Sequence, residues 1–207
     1  LSSELQKKTG RPADLAKREA IIDAAAASFF DIGYEATSIE RVAADAGVSK
    51  VTVYNHFGGK PALLSAAVES QCEQIRSSLS LDGLAAGTIR ERLAALGETF
   101  VAFLSRPEMI AFERRIAAET ERDPAIGACF LDAGPRRMHA LLAALMQRAA
   151  ELGELDIDDP MLAAEQFASM CKGFGDLERR FGAGSDRDRD KARIAGAVDA
   201  FLRAYAP

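Results

Sequence analysis

Apolar residues recur at every third or fourth position through most of the chain, and alternating β-branched runs are nearly absent, so the pattern predicts an all-α protein. A polar stretch ending in Gly10-Arg11-Pro12 comes first, and residues 1–13 read as a flexible basic arm. Ile22, Ala25, Phe29 and Ile32 then share one face of a helix expected over 14–32, with Gly33 as its stop. Two short helices are expected next, over 37–46 and 49–57, joined by Gly47-Val48. Thr37 is the expected N-cap of the first, and Glu40, three residues on, completes a capping box. Ile39, Val42 and Ala43 face the first helix. Gly47 supplies the backbone freedom of a tight turn and Val48 the apolar plug beside it, which is the pattern of a helix-turn-helix unit.

Lys60-Pro61 opens a fourth helix running to about Ser78, since Pro is favoured at the first helical position. From Thr88 onward, breakers at Arg106-Pro107, Asp123-Pro124, Gly153, Asp159-Pro160 and Gly182-Ala183-Gly184 divide the remainder into four or five helices. The expected organisation is therefore an arm (1–13), a three-helix helix-turn-helix domain (14–60), and a connector helix followed by a helical bundle (61–207). Three stripes in the bundle are broad and aromatic: Leu93, Leu96, Phe100 and Phe103; Ala163, Phe167, Met170, Phe174, Leu177 and Phe181; and Ile194, Val198, Phe201, Leu202 and Tyr205. Each such face must be buried against something.

Composition adds exclusions. With 48% hydrophobic residues in 207, the chain can bury a core without staples. Cys72, Cys129 and Cys171 stand far apart and only His56 and His139 are available, so no disulfide framework, metal or cofactor is expected. No nucleophile–base pair, paired-carboxylate motif or phosphate loop appears, so an enzyme is not expected. No apolar run is long enough for a membrane span and no secretion signal opens the sequence, so a cytoplasmic location is expected. Leu1 stands where an initiator Met is usual, so a longer arm is expected.

The net charge of −5 divides unevenly along the chain. Residues 1–60 hold 8 Lys/Arg and 8 Asp/Glu, whereas the remainder holds 18 against 23. Residues 46–60 carry Lys50 and Lys60 with no acid. An acidic body with such a local patch can still orient itself on DNA.

On a helical wheel over residues 50–57, Val53 and Phe57, four apart, fall inward. Val51, Thr52 and Asn55 then point outward, with Lys50, Tyr54 and His56 on the flanks. That arrangement suits a helix in a major groove, central side chains reaching base edges and flanking ones reaching phosphates. Val51 is expected to touch a thymine methyl.

Gly33-Tyr34, Thr37-Ser38-Ile39, Val42-Ala43, Ala46-Gly47-Val48-Ser49-Lys50, Thr52-Val53-Tyr54-Asn55-His56-Phe57 and Lys60 resemble the signature of the TetR/AcrR family over about residues 15–64. The resemblance implies a double-stranded DNA operator as partner. Thr37 and Ser38 would meet phosphate, and Ser49, Lys50, Tyr54, Asn55, His56 and Lys60 would flank or enter the groove. Arg11 lies in an arm similar to those that enter or skirt the minor groove. Val51 stands where many members have Gly or Ala.

The segment from Glu108 to Glu121, Gly134-Pro135 and the Phe167-to-Phe174 helix resemble the C-terminal domain of AefR-like members. That implies a small-molecule effector of unknown identity, a homodimer, and most often repression. Candidate cavity walls are Phe100, Phe103, Phe112, Ile116, Phe167, Met170, Cys171 and Phe174, since apolar spaces between bundle helices host small molecules. Arg115 or Glu119 could orient a polar ligand group. In that family the last two long helices usually form the dimer seam, here 160–181 and 190–205, with Phe181, Ile194, Val198, Phe201, Leu202 and Tyr205 as candidates. A ligand preferring wrongly spaced reading heads would lower operator affinity, with the fourth helix transmitting the change. The alternative is a helical dimeric interaction or sensor protein that has lost DNA binding.

Overall fold

The structure is a computed structural model that describes residues 10–78 and 87–207, with backbone alone at 10–13, 75 and 78. The described residues form ten helices and no strand: α1 Gly10–Ile32, α2 Ile39–Asp45, α3 Lys50–Phe57, α4 Lys60–Ser78, α5 Ile89–Leu104, α6 Pro107–Thr120, α7 Pro124–Ala133, α8 Pro135–Glu151, α9 Pro160–Arg180 and α10 Arg187–Tyr205. The first helix starts at Gly10, four residues before the expected start, so Gly10-Arg11-Pro12 forms its first turn; Pro12 near the beginning needs no amide partner there.

The cap of α2 is Ser38, whose side chain accepts from the Arg41 amide at 3.1 Å. Thr37 is buried instead: its hydroxyl donates to the Gly33 carbonyl at 2.7 Å and sits 3.2 Å from the Ser28 hydroxyl. Ser38 therefore takes the capping role expected of Thr37, and Thr37 is withdrawn from the surface. Glu40 closes no box, because with Ser38 as cap the box position falls on Arg41, and the Glu40 carboxylate pairs with Lys50 instead. Ser49 caps α3 through the Thr52 amide, and Gly47 in the turn between has φ +66°, a conformation other residues rarely adopt. Val48 packs, half-buried, on the same core.

Six helices follow residue 88, one more than the breakers suggested. The extra division falls at Gly134-Pro135, where Pro135 has no amide proton and its ring obstructs a continuing helix. Two cores result. One gathers Ile21, Phe29, Val42, Val53, Leu63 and Leu64 together with Met109, Phe112 and Ile116 of α6, so the helix-turn-helix unit shares its interior with the bundle. The other joins α5, α8, α9 and α10 around Leu96, Leu142, Phe167, Val198 and Phe201.

Helix α9 is interrupted at Gly173 (φ 48°, ψ −154°), a conformation reserved for glycine. A Cβ there would stand 2.5 Å from Arg193 Cδ, so the Arg193 side chain of α10 occupies the space that the missing side chain leaves. Beyond the break, buried Arg179 donates to both oxygens of Asp190 at 3.0 and 3.1 Å, and Arg193 shares that carboxylate. The expected single stripe on α9 therefore divides: Ala163 and Phe167 are buried, whereas Phe174, Leu177 and Phe181 face outward.

Candidate nucleic-acid interface and ligand cavity

Helix α3 lies with Val53 buried and Val51 66% exposed; Lys50, Tyr54 and Asn55 share the exposed side, and Ser38 and Ser49 are exposed at the caps. Lys50 lies 5.7 Å from the Tyr54 ring centroid. Thr52 is half-buried, its hydroxyl 2.9 Å from that of Ser49.

Three flank residues are engaged within the chain, the first being Lys50 through its pair with Glu40. His56 Nε2 is 3.3 Å from Asp14 Oδ1, which fixes the ring against α1. Lys60 donates to the Glu35 carbonyl at 3.0 Å and stands 4.5 Å over the Tyr34 ring, and burial lowers its pKa. Lys60 thus ties α4 to the α1–α2 turn. Buried Thr37 cannot reach a phosphate, a correction that follows from its two internal hydrogen bonds. The Arg11 side chain lies outside the described residues, as do Lys7 and Lys8.

A cavity of about 510 Å³ opens among α1 and α4 to α9. Phe100, Phe103, Phe112 and Ile116 line it, joined by Phe30, Val68, Gln71, Cys72, Phe130, Met138, His139, Glu113, Lys172 and Arg180. The other four candidates lie elsewhere. Phe167 and Cys171 are sealed in the second core, where burial pushes the Cys171 thiol up to about 12; Met170 packs against that core; and Phe174 is 65% exposed. The buried part of the α9 stripe faces its neighbours, and the helix contributes Lys172 and Arg180 to the cavity, polar positions that an apolar pattern cannot reveal.

The seam candidates divide in the same way. Ile194, Val198 and Phe201 are buried within the chain, Phe201 edge-on to Phe167 with centroids 5.3 Å apart. They cannot form an open face, because α10 spends its apolar stripe on α5 and α9. Leu202 and Tyr205 are half-buried against the same core, and the Tyr205 hydroxyl donates to Gln166 Oε1 at 2.6 Å. Phe181 is 84% exposed. Sequence reading missed Met161 and Leu162, also exposed on α9.

Helix α6 presents one face to the cavity and another to the helix-turn-helix unit. Arg115 Nη1 donates to the Phe30 carbonyl at 2.7 Å, Glu119 Oε1 accepts from the Glu35 amide at 3.1 Å, and Arg122 pairs with Glu35 at 2.9 Å. Arg115 and Glu119 do not line the cavity; they join its wall to the last turn of α1 and the turn beyond.

An exposed recognition helix behind a tight turn, held on a helical body with an aromatic cavity, defines a helix-turn-helix DNA-binding protein. Residues 21–67 match the family model described as bacterial regulatory proteins, tetR family, and residues 91–207 match that of the AefR-like transcriptional repressor, C-terminal domain. The chain belongs to the TetR family of transcriptional regulators. It is similar to a solved TetR-family regulator from Mesorhizobium loti, 30% identical with TM-score 0.80 over 97% of this chain and 100% of that one. It is also similar to the flavonoid-responsive regulator FrrA, 32% identical with TM-score 0.75 over 96% and 99%. The HTH-type transcriptional regulator BetI of Rhizobium meliloti is 29% identical over 189 residues, 91% of this chain and 90% of its own. No helix among the described residues is long and apolar enough to cross a membrane.

Proposed function

We propose that the chain acts as a homodimeric repressor that binds a near-palindromic operator through α3 and releases it when an aromatic small molecule fills the cavity. The observation that carries this reading is that Phe30, a residue of α1, is itself part of the cavity wall. A ligand there meets the DNA-binding head directly as well as through α4 and α6. Any ligand that binds better when the heads are misplaced must weaken operator binding by the same factor.

Ser38, Ser49, Lys50 and Tyr54 are the proposed phosphate and groove-edge contacts, with Val51 and Asn55 against bases. Thr52, His56 and Lys60 sit at the margin of that surface, the last two as supports of the head. Dimerisation is proposed through the outward side of α9, where Phe174, Leu177 and Phe181 leave an apolar surface that a second copy would cover. Small exposed residues Ala192, Ala195 and Gly196 on α10 would allow close approach beside it. Two heads on a twofold axis would match two half-sites. The aromatic wall supports a ring-bearing effector, as does the similarity to a flavonoid-responsive regulator.

Titrating the protein against labelled duplex DNA at rising salt tests the reading. Phosphate contacts release counterions, so affinity is expected to fall about a thousandfold or more between roughly 50 and 200 mM salt if six or more phosphates are engaged. Absence of salt-dependent binding would favour an interaction protein that no longer binds DNA.

A further inference from the structure

Resting on the reading of the cavity as an effector site, we infer that Glu113 selects the effector by its hydroxyl group: the ligand is an uncharged phenol that donates its O–H to Glu113 Oε1. Glu113 lines the cavity from α6, two residues before Arg115, which holds the Phe30 carbonyl on the opposite side. Its side chain is only 18% exposed. Arg180 donates to Oε2 at 3.0 Å, whereas Oε1 makes no hydrogen bond among the described residues. One carboxylate oxygen is thus fixed, and the other remains a free acceptor on a residue that lines a mostly aromatic chamber.

The surrounding charges decide what can donate to it. Arg180 also pairs with Asp176 at 3.2 Å, and Lys172 lines the same end. Two acids and two bases therefore cluster here, Asp176 standing behind Arg180 and outside the cavity lining. A charged ligand group of either sign would meet two like and two opposite charges there, so little net attraction would offset its loss of water. An uncharged hydroxyl avoids that cost. Burial pushes the Glu113 carboxyl up, Arg180 and Lys172 draw it back and Asp176 opposes them, so its ionised form gains from one further donor. Phe30, half-buried and backed by the stacked Phe112, offers an aromatic surface against which the ring of a phenol would pack.

The experiment uses N-phenyl-1-naphthylamine, whose fluorescence rises in apolar cavities, and its displacement from the full-length protein by 2-naphthol, 2-methoxynaphthalene and 2-naphthoate. The expected result is that 2-naphthol displaces the reporter about ten- to a hundredfold more tightly than the methoxy compound, the range for a hydrogen bond to a charged group. Glu113→Leu is expected to erase that preference, and Glu113→Gln, which keeps the shape and an acceptor, to reduce it. Equal displacement by the naphthol and methoxy compounds, tighter binding of naphthoate, or a preference surviving in E113L would overturn the inference while leaving the cavity reading intact. Failure of the reporter and all three naphthalenes to bind would overturn both.

Discussion

Phe30 and Phe112 stack with ring centroids 4.2 Å apart and planes 27° from parallel, although one belongs to the first helix of the DNA-binding head and the other to the cavity wall. Phe112 is fully buried and also meets Phe130 edge-on at 5.7 Å. Truncating it removes a side chain that joins three helices. Phe112→Ala is expected to destabilise the protein by roughly 3–5 kcal/mol, the usual range for a buried Phe. Chemical denaturation checks this; a loss below about 1 kcal/mol would mean the contact is dispensable.

The Arg115 guanidinium reaches the last turn of α1, where the helix has no further amides to satisfy its carbonyls. Arg115→Ala removes that donor and loosens the docking of α6 against the α1–α2 turn. Hydrogen exchange is expected to accelerate at the amides of residues 33–37 while the second core keeps its protection. Uniform acceleration throughout would point to global destabilisation instead.

Val51 presents a branched apolar side chain, 66% exposed, on the outer side of α3. Val51→Gly is expected to weaken discrimination at one base pair per half-site by about 1–3 kcal/mol, the usual worth of a single position, with the loss concentrated at a thymine. Affinities across a panel of single-base operator variants measure this. Unchanged preference at every base would remove Val51 from the readout.

Much of this arrangement was legible in the sequence because helical periodicity and turn residues act locally. The stripe of α5, the Gly47-Val48 turn and the inward Val53 follow from spacing alone, whereas the α9 stripe breaks at Gly173, which spacing does not reveal. Thr37 and Ser38 show where local reasoning ends: both suit a cap, and only the buried Ser28 beside Thr37 decides which one serves. The cavity was half legible. Phe100, Phe103, Phe112 and Ile116 could be chosen as apolar, but spacing cannot say whether an apolar face meets a void or another helix. Phe167 and Cys171 met helices. Glu113, Lys172 and Arg180 carry no apolar signal, and their convergence depends on α6 meeting α9 on both sides of the Gly173 break. Ile194, Val198 and Phe201 looked suitable for a dimer seam for the same reason, since periodicity reports burial without naming the partner.

Selection of bound duplexes from a random DNA pool by the purified protein tests the role of α3 most directly. The expected outcome is enrichment of a near-palindromic site with two equivalent halves, centred about one helical turn or a multiple of it apart. Failure to enrich any sequence, or recovery of a single unpaired half-site, would contradict a dimer that reads DNA through two copies of α3.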